Sequence, residues 1–192
     1  MPMLPPPDQA LPPRPALVLL IRHGHKDDPG GSGPGGGPNY NLSAMGQNQA
    51  QKLAALVPDC LQQARPLHLI SHGFHPHTGK NARSYQTLVP LAIRSGVNIR
   101  MLPEAEADSQ GSGSRLLADP LYRDGVMVIA WEHRRLPLLA RGLGWSSMPT
   151  VDDDDFDSLW LLRYPPGQAS PEVRRFSQRA LAGLTCAAGV NR

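Results

Sequence analysis

The chain has 192 residues, 40% of them hydrophobic and 18% charged, with a formal net charge of +3 and a pI of about 9.1. This length suits one α/β domain with a sizeable core and is short for two. The basic bias is mild, lysine is scarce and no dense basic stripe appears, so nothing marks a nucleic-acid binder; an anionic small molecule fits this balance.

Residues 1–15, MPMLPPPDQALPPRP, read as a proline-rich extended tail, because proline cannot donate to a ladder. No basic stretch followed by an apolar stretch occurs there, so no targeting segment is read and a cytoplasmic protein is expected. The rest, 16–192, is expected to be a single domain. Ala16 to Ile21 is a continuous apolar run, too short for a membrane span and suited to a buried central strand. Asp28 to Pro38 is a Gly/Pro loop.

Ser43 then reads as a helix N-cap, with Ala50, Leu53, Ala54 and Val57 at helical spacing before Pro58. Leu67 to Ile70 is a second strand, and Asn81 to Arg94 a helix ending near Gly96. Val97 to Leu102 is a short strand, and Ser114 to Leu121 a short helix after a long loop. Val126 to Ala130 is another apolar strand, followed by a helix over Pro137 to Leu143. Leu159 to Arg163 is a further strand, and Val173 to Leu184 reads as a closing amphipathic helix. Strands alternating with helices predict an α/β three-layer sandwich, its mostly parallel central sheet covered by helices on both faces. The two cysteines, Cys60 and Cys186, lie far apart, and reduced thiols are the plainer reading.

In open α/β sheets the chemistry sits beyond the carboxyl ends of the strands. The first strand delivers Arg22, His23, Gly24 and His25 there. The second delivers Ser71, His72 and Gly73, and the strand at 126–130 delivers Trp131, Glu132 and His133. Arg83 opens a helix. Arginine offers a planar fork of donors to phosphoryl oxygens, and histidine can attack phosphorus or donate to it. A carboxylic acid of raised pKa can protonate a leaving oxygen. Two arginines and two histidines balance the charge without a metal, so no cofactor is called for.

Four segments, in order, resemble the histidine phosphatase superfamily, whose fold is phosphoglycerate-mutase-like. Leu19-Leu20-Ile21-Arg22-His23-Gly24 is similar to its strand and RHG motif. Asn41-Leu42-Ser43-Ala44-Met45-Gly46 is similar to its first helix start, and Ala82-Arg83-Ser84-Tyr85-Gln86-Thr87 to its Arg-x-x-Gln-Thr helix start. Val128-Ile129-Ala130-Trp131-Glu132-His133 resembles the late strand bearing its second histidine. The chain would be a small divergent member of bacterial type. The resemblance implies that His23 is a nucleophile that becomes phosphohistidine, that Arg22 and Arg83 clamp the phosphoryl group, and that His133 stabilises the transition state. It implies a phosphomonoester hydrolase acting on a phosphorylated small molecule or phosphoprotein.

The departures define the alternatives. His25 stands where the family often has Glu. Glu104 is the favoured proton donor, with Glu106 and Asp108 as rivals. Arg134 and Arg135 follow His133 where glycine is usual, and they suit either a second anionic group on the substrate or a solvated helix start. Ser71-His72-Gly73 matches the family's second-histidine motif locally but comes before Arg83, so His133 is kept as the second catalytic residue. His68, His72, His75 and His77 could hold zinc, but neither cysteine is near. Asp152 to Asp155 lacks the glycine and distal Glu of an EF-hand and reads as a solvated turn with Phe156 packing inward. A non-catalytic phosphate-ligand binder is the rival function, and a phosphomutase a weaker one. The natural substrate and the oligomeric state stay open.

Overall fold

A computed structural model describes residues 13–27, 37–103 and 107–181. Among these residues six strands and five α-helices follow one another: β1 (Leu17–Arg22), α1 (Ala44–Leu56), β2 (Leu67–His72), α2 (Ala82–Ser95), β3 (Ile99–Leu102), α3 (Ser109–Ala118), β4 (Val126–Trp131), α4 (Leu136–Gly142), β5 (Ser158–Arg163), β6 (Glu172–Ser177) and the short α5 (Gln178–Leu181). The sheet order is β3-β2-β4-β1-β5-β6. β1, β2, β3 and β4 pair in parallel, and β5 runs antiparallel to both of its neighbours. The sheet is thus mostly parallel, as the alternating pattern predicts.

The central strands are apolar along their length because both of their faces are covered. Val18 and Leu20 of β1 pack with Met127 and Ile129 of β4, Leu116 of α3 and Leu139 of α4. Leu19 and Ile21 point the other way, towards Leu53 of α1 and Leu88 and Leu91 of α2. Period-two alternation along each strand thus feeds two cores, and α1 with α2 and α3 with α4 form the outer layers. The Ser43 side chain accepts from the Gly46 N–H at 3.1 Å and starts α1 as expected. Gly96 closes α2 at φ +70°, a conformation that favours glycine.

Three expectations need correction. Glu172–Ser177 is an edge strand where a helix was expected. Val173 packs against one core and Phe176 against the other. Residues three apart fall on opposite faces only in a strand. The third helix begins at Ser109, where the Asp108 side chain caps it, rather than at Ser114. Glycines at 111 and 113 hide that start, since they lower helix propensity; a Cβ at Gly113 would run into the backbone of α4, so the glycine permits the close helix pairing. Cys60 is disulfide-bonded rather than a reduced thiol. No helix among the described residues is long and apolar enough to cross a membrane.

Candidate active site at the strand exits

The register brings three strand exits level. Arg22 pairs with Trp131, Ser71 with Ala130, and His72 with Leu102. The residues that follow leave the sheet at one edge, where β4 lies between β1 and β2. This is the crevice in which open α/β sheets bind ligands.

His23 is the first group there. It is 8% exposed, and its Nδ1 lies 2.8 Å from the Gly24 carbonyl oxygen. A carbonyl only accepts, so Nδ1 holds the hydrogen and Nε2 keeps its lone pair. Burial drives the pKa of His23 down to about 3, helped by the positive charges of Arg22 and Arg83 and opposed by the Gly24 hydrogen bond. The ring is therefore neutral near pH 7. Gly24 is required by a close approach: a Cβ on it would lie 2.9 Å from the carbonyl oxygen of Gly46. Its N–H donates to Thr87 Oγ1 at 2.8 Å, which ties β1 to α2. The His25 N–H donates to Gln49 Oε1 at 2.8 Å, and its Nδ1 meets Ser43 Oγ at 2.7 Å. The start of α1 thereby fixes the loop that holds His23.

Arg22 is 1% exposed. Its Nη1 donates to the carbonyl oxygens of Asp152, Asp153 and Asp155 at 3.0, 2.9 and 3.1 Å, and its guanidinium carbon lies 3.9 Å from the Phe156 ring centre. Nε and Nη2 are buried without a protein partner. Burial lowers the Arg22 pKa to about 10, against the pull of Asp155 and Glu132, and it stays cationic. Unpartnered donors on a buried cation are costly unless an anion arrives. Arg83 donates from Nε to the Asn41 carbonyl at 3.0 Å and from Nη2 to that of Asn39. These contacts hold it at the same edge, close enough to depress His23.

His133 stands edge-on to His23, with ring centres 6.3 Å apart and planes at 85°. Its Nε2 lies 2.6 Å from Asp153 Oδ1. Its Nδ1 lies 3.0 Å from Glu132 Oε1, within ion-pair distance but off the line of a directed hydrogen bond. Burial alone would raise the Glu132 pKa. Its contacts with His133 and the backbone N–H of Arg134 reverse that and hold it at about 2, so it is a carboxylate at neutral pH. The Asp153 carboxyl is likewise held below its ordinary range by His133 and Arg134. The Arg134 side chain is largely exposed and lies 3.6 Å from Asp153.

The structure thus brings Arg22, His23, His25, Arg83 and His133 to one edge, with Arg134 at the rim. Glu104 and Glu106 lie outside the described residues. Asp108 is engaged elsewhere: it accepts from the Gly111 N–H at 2.7 Å and meets Arg115 at 3.6 Å. His72 is fully buried, with its ring 5.0 Å from Trp131 and edge-on to it. His68 packs edge-on to Tyr122 at 4.9 Å, while the His75 and His77 rings lie 5.8 Å apart at a tilt of 59° in the turn after β2. Among the described residues no group of three or more His, Cys, Asp or Glu could hold a metal ion.

Asp152 to Asp155 is the expected turn, with Asp152, Asp153 and Asp154 exposed, and it also reaches into the site. Its carbonyls hold Arg22, Asp153 reaches His133, and the Asp155 carboxylate accepts from Ser158 N at 2.9 Å and Oγ at 2.6 Å to start β5. Phe156 does pack inward, against Arg22, His23 and His25. No spacing rule could reveal this, because the loop meets β1 across 130 residues of chain. The only local signal is an aromatic directly after four acids.

No family model matches the chain, and no curated protein matches it. Solved structures do. A mycobacterial glucosyl-3-phosphoglycerate phosphatase in complex with VO3 is 17% identical, with 84% of this chain and 98% of that one covered at a TM-score of 0.51. A phosphoserine phosphatase from Entamoeba histolytica, in complex with 3-phosphoglyceric acid, is 11% identical, with 84% and 96% covered at a TM-score of 0.52. At such identities the likeness speaks for the backbone arrangement alone. With the sheet order, the strand exits and the covering helices as described, the chain has the phosphoglycerate-mutase-like three-layer fold.

Proposed function

We propose that the protein hydrolyses a phosphomonoester through a covalent phosphohistidine at His23. The observation that carries this reading is the state of His23: Nδ1 is anchored on the Gly24 carbonyl, and the ring is neutral, so Nε2 is free to attack. Nε2 forms a bond to phosphorus while the bond from phosphorus to the leaving oxygen breaks. The proton the leaving oxygen needs comes from an acid, which we assign to Glu104. Arg22 receives phosphoryl oxygens on its two unpartnered donors, and Arg83 adds a second cation. His133 donates to the transferring group, which stabilises the charge that builds up on its oxygens. Water then attacks phosphorus, its proton returns to the carboxylate, and orthophosphate leaves with His23 restored. His25 lines the pocket, and Arg134 faces the outer part of the substrate, a phosphorylated small molecule or phosphoprotein.

The test is hydrolysis of an aryl phosphate with a chelator present, together with acid-labile phosphoenzyme trapping. Both signals are expected in the native protein and neither in His23→Ala. Turnover that survives in His23→Ala but stops with chelator would overturn the mechanism. Phosphate binding without turnover in the native protein would identify a binder on the same fold.

A further inference from the structure

The two nitrogens of His133 face two carboxylates in opposite settings. Nδ1 is buried and faces Glu132, whose side chain is 21% exposed. Nε2 faces Asp153, whose side chain is 70% exposed. A substrate entering from solvent can reach only the Nε2 side. That nitrogen is already occupied, at 2.6 Å, by an oxygen anion with the charge and hydrogen-bonding habit of a phosphoryl oxygen. The same loop supplies three carbonyl oxygens to Nη1 of Arg22, so it rests on both the cation and the donor assigned to the phosphoryl group.

We propose that the Asp153 carboxylate is an internal stand-in for a phosphoryl oxygen, which the substrate must displace from His133 Nε2. The proposal rests on the phosphohydrolase reading above. Asp153 has little else to hold it: it is exposed, and it also meets the exposed Arg134 at 3.6 Å. Leaving would therefore expose no apolar surface and break no core contact. The loop itself need not move, because Arg22 is held by backbone carbonyls rather than by the Asp153 side chain. An internal competitor lowers apparent affinity by the fraction of molecules whose site is free. Every oxyanion is weakened by the same fraction, so the stand-in raises the concentration needed to fill the site and leaves the ranking of ligands unchanged.

The test measures the Kd of orthophosphate by calorimetry for the native protein, Asp153→Ala, Asp153→Asn and Asp154→Ala. Asp154 is an exposed neighbour of the same charge, with no side-chain contact to His133, so its variant controls for net charge. Asp153→Ala is expected to bind orthophosphate several-fold more tightly, with Asp153→Asn between it and the native protein and Asp154→Ala close to native. KM for the aryl phosphate should fall with Kd while kcat holds. In a His133→Ala background the gain from Asp153→Ala should vanish. Unchanged or weaker binding in Asp153→Ala, an equal gain in Asp154→Ala, or a loss of kcat in Asp153→Ala would each overturn the stand-in. If no variant binds orthophosphate and the native protein shows no turnover, the phosphohydrolase reading fails and the stand-in fails with it. Native turnover without a tighter Asp153→Ala defeats the stand-in alone.

Discussion

The exits of β1 and β2 carry the same dipeptide, His-Gly, in the same local geometry. His23 Nδ1 lies 2.8 Å from the Gly24 carbonyl, and His72 Nδ1 lies 2.9 Å from the Gly73 carbonyl. In both places the glycine permits a close backbone approach, to Gly46 in one case and to Leu102 and Pro103 in the other. The surroundings differ. His23 has Arg22, Arg83 and His133 as electrostatic neighbours and keeps some exposure. His72 is fully buried, lies edge-on to Trp131, whose indole N–H donates to Ser109, and has the Glu132 carboxylate in its electrostatic reach. A histidine becomes a candidate nucleophile through the cations and donors that face it, and the peptide geometry around it only sets the tautomer.

The sharpest way to break this comparison is to remove each histidine in turn. His23→Ala should lower aryl phosphate hydrolysis by at least about a thousandfold, with no phosphoenzyme. His133→Ala should cost about a hundredfold or more in kcat, as loss of one transition-state donor does elsewhere, while a phosphoenzyme still accumulates slowly. His72→Ala should behave in the opposite way. It should lower unfolding free energy by about 3 kcal/mol through the cavity beside Trp131, yet form phosphoenzyme below its melting temperature. Loss of the phosphoenzyme in folded His72→Ala would mean that the buried histidine takes part in the chemistry.

Acid titration probes the same contrast more gently. The folded-state pKa of His23, about 3, lies below its ordinary 6.5, so the unfolded chain binds the proton more readily. The stability that neutral His23 supplies is complete above pH 6.5 and is lost as pH falls towards 3, by on the order of a few kcal/mol. Urea midpoints measured across that window should fall more in the native protein than in His23→Gln. Equal slopes would show that His23 is not held neutral by its site.

Several features were legible before the fold was known. The apolar runs at 17–21 and 126–130 announce strands buried on both faces, because only such strands dispense with polar alternation. Arg22 and His23 stand out because no core strand needs them at its end. The order of the four segments separates His133 from the tempting Ser71-His72-Gly73, and the structure does set His133 beside His23 while His72 packs beneath Trp131. What the chain alone left undecided is what its distant parts do to one another. The segment from Val173 reads as a helix in the sequence, and becomes a strand up to Ser177 because β5 offers an edge to pair with. The turn at Asp152 to Asp155 was legible, but its partners Arg22 and His133 were not, because that pairing depends on where the loop before β5 crosses the exits of β1 and β4. Local periodicity and strand-end chemistry are written in neighbouring residues, whereas the partners of a buried charge are fixed only when the sheet closes.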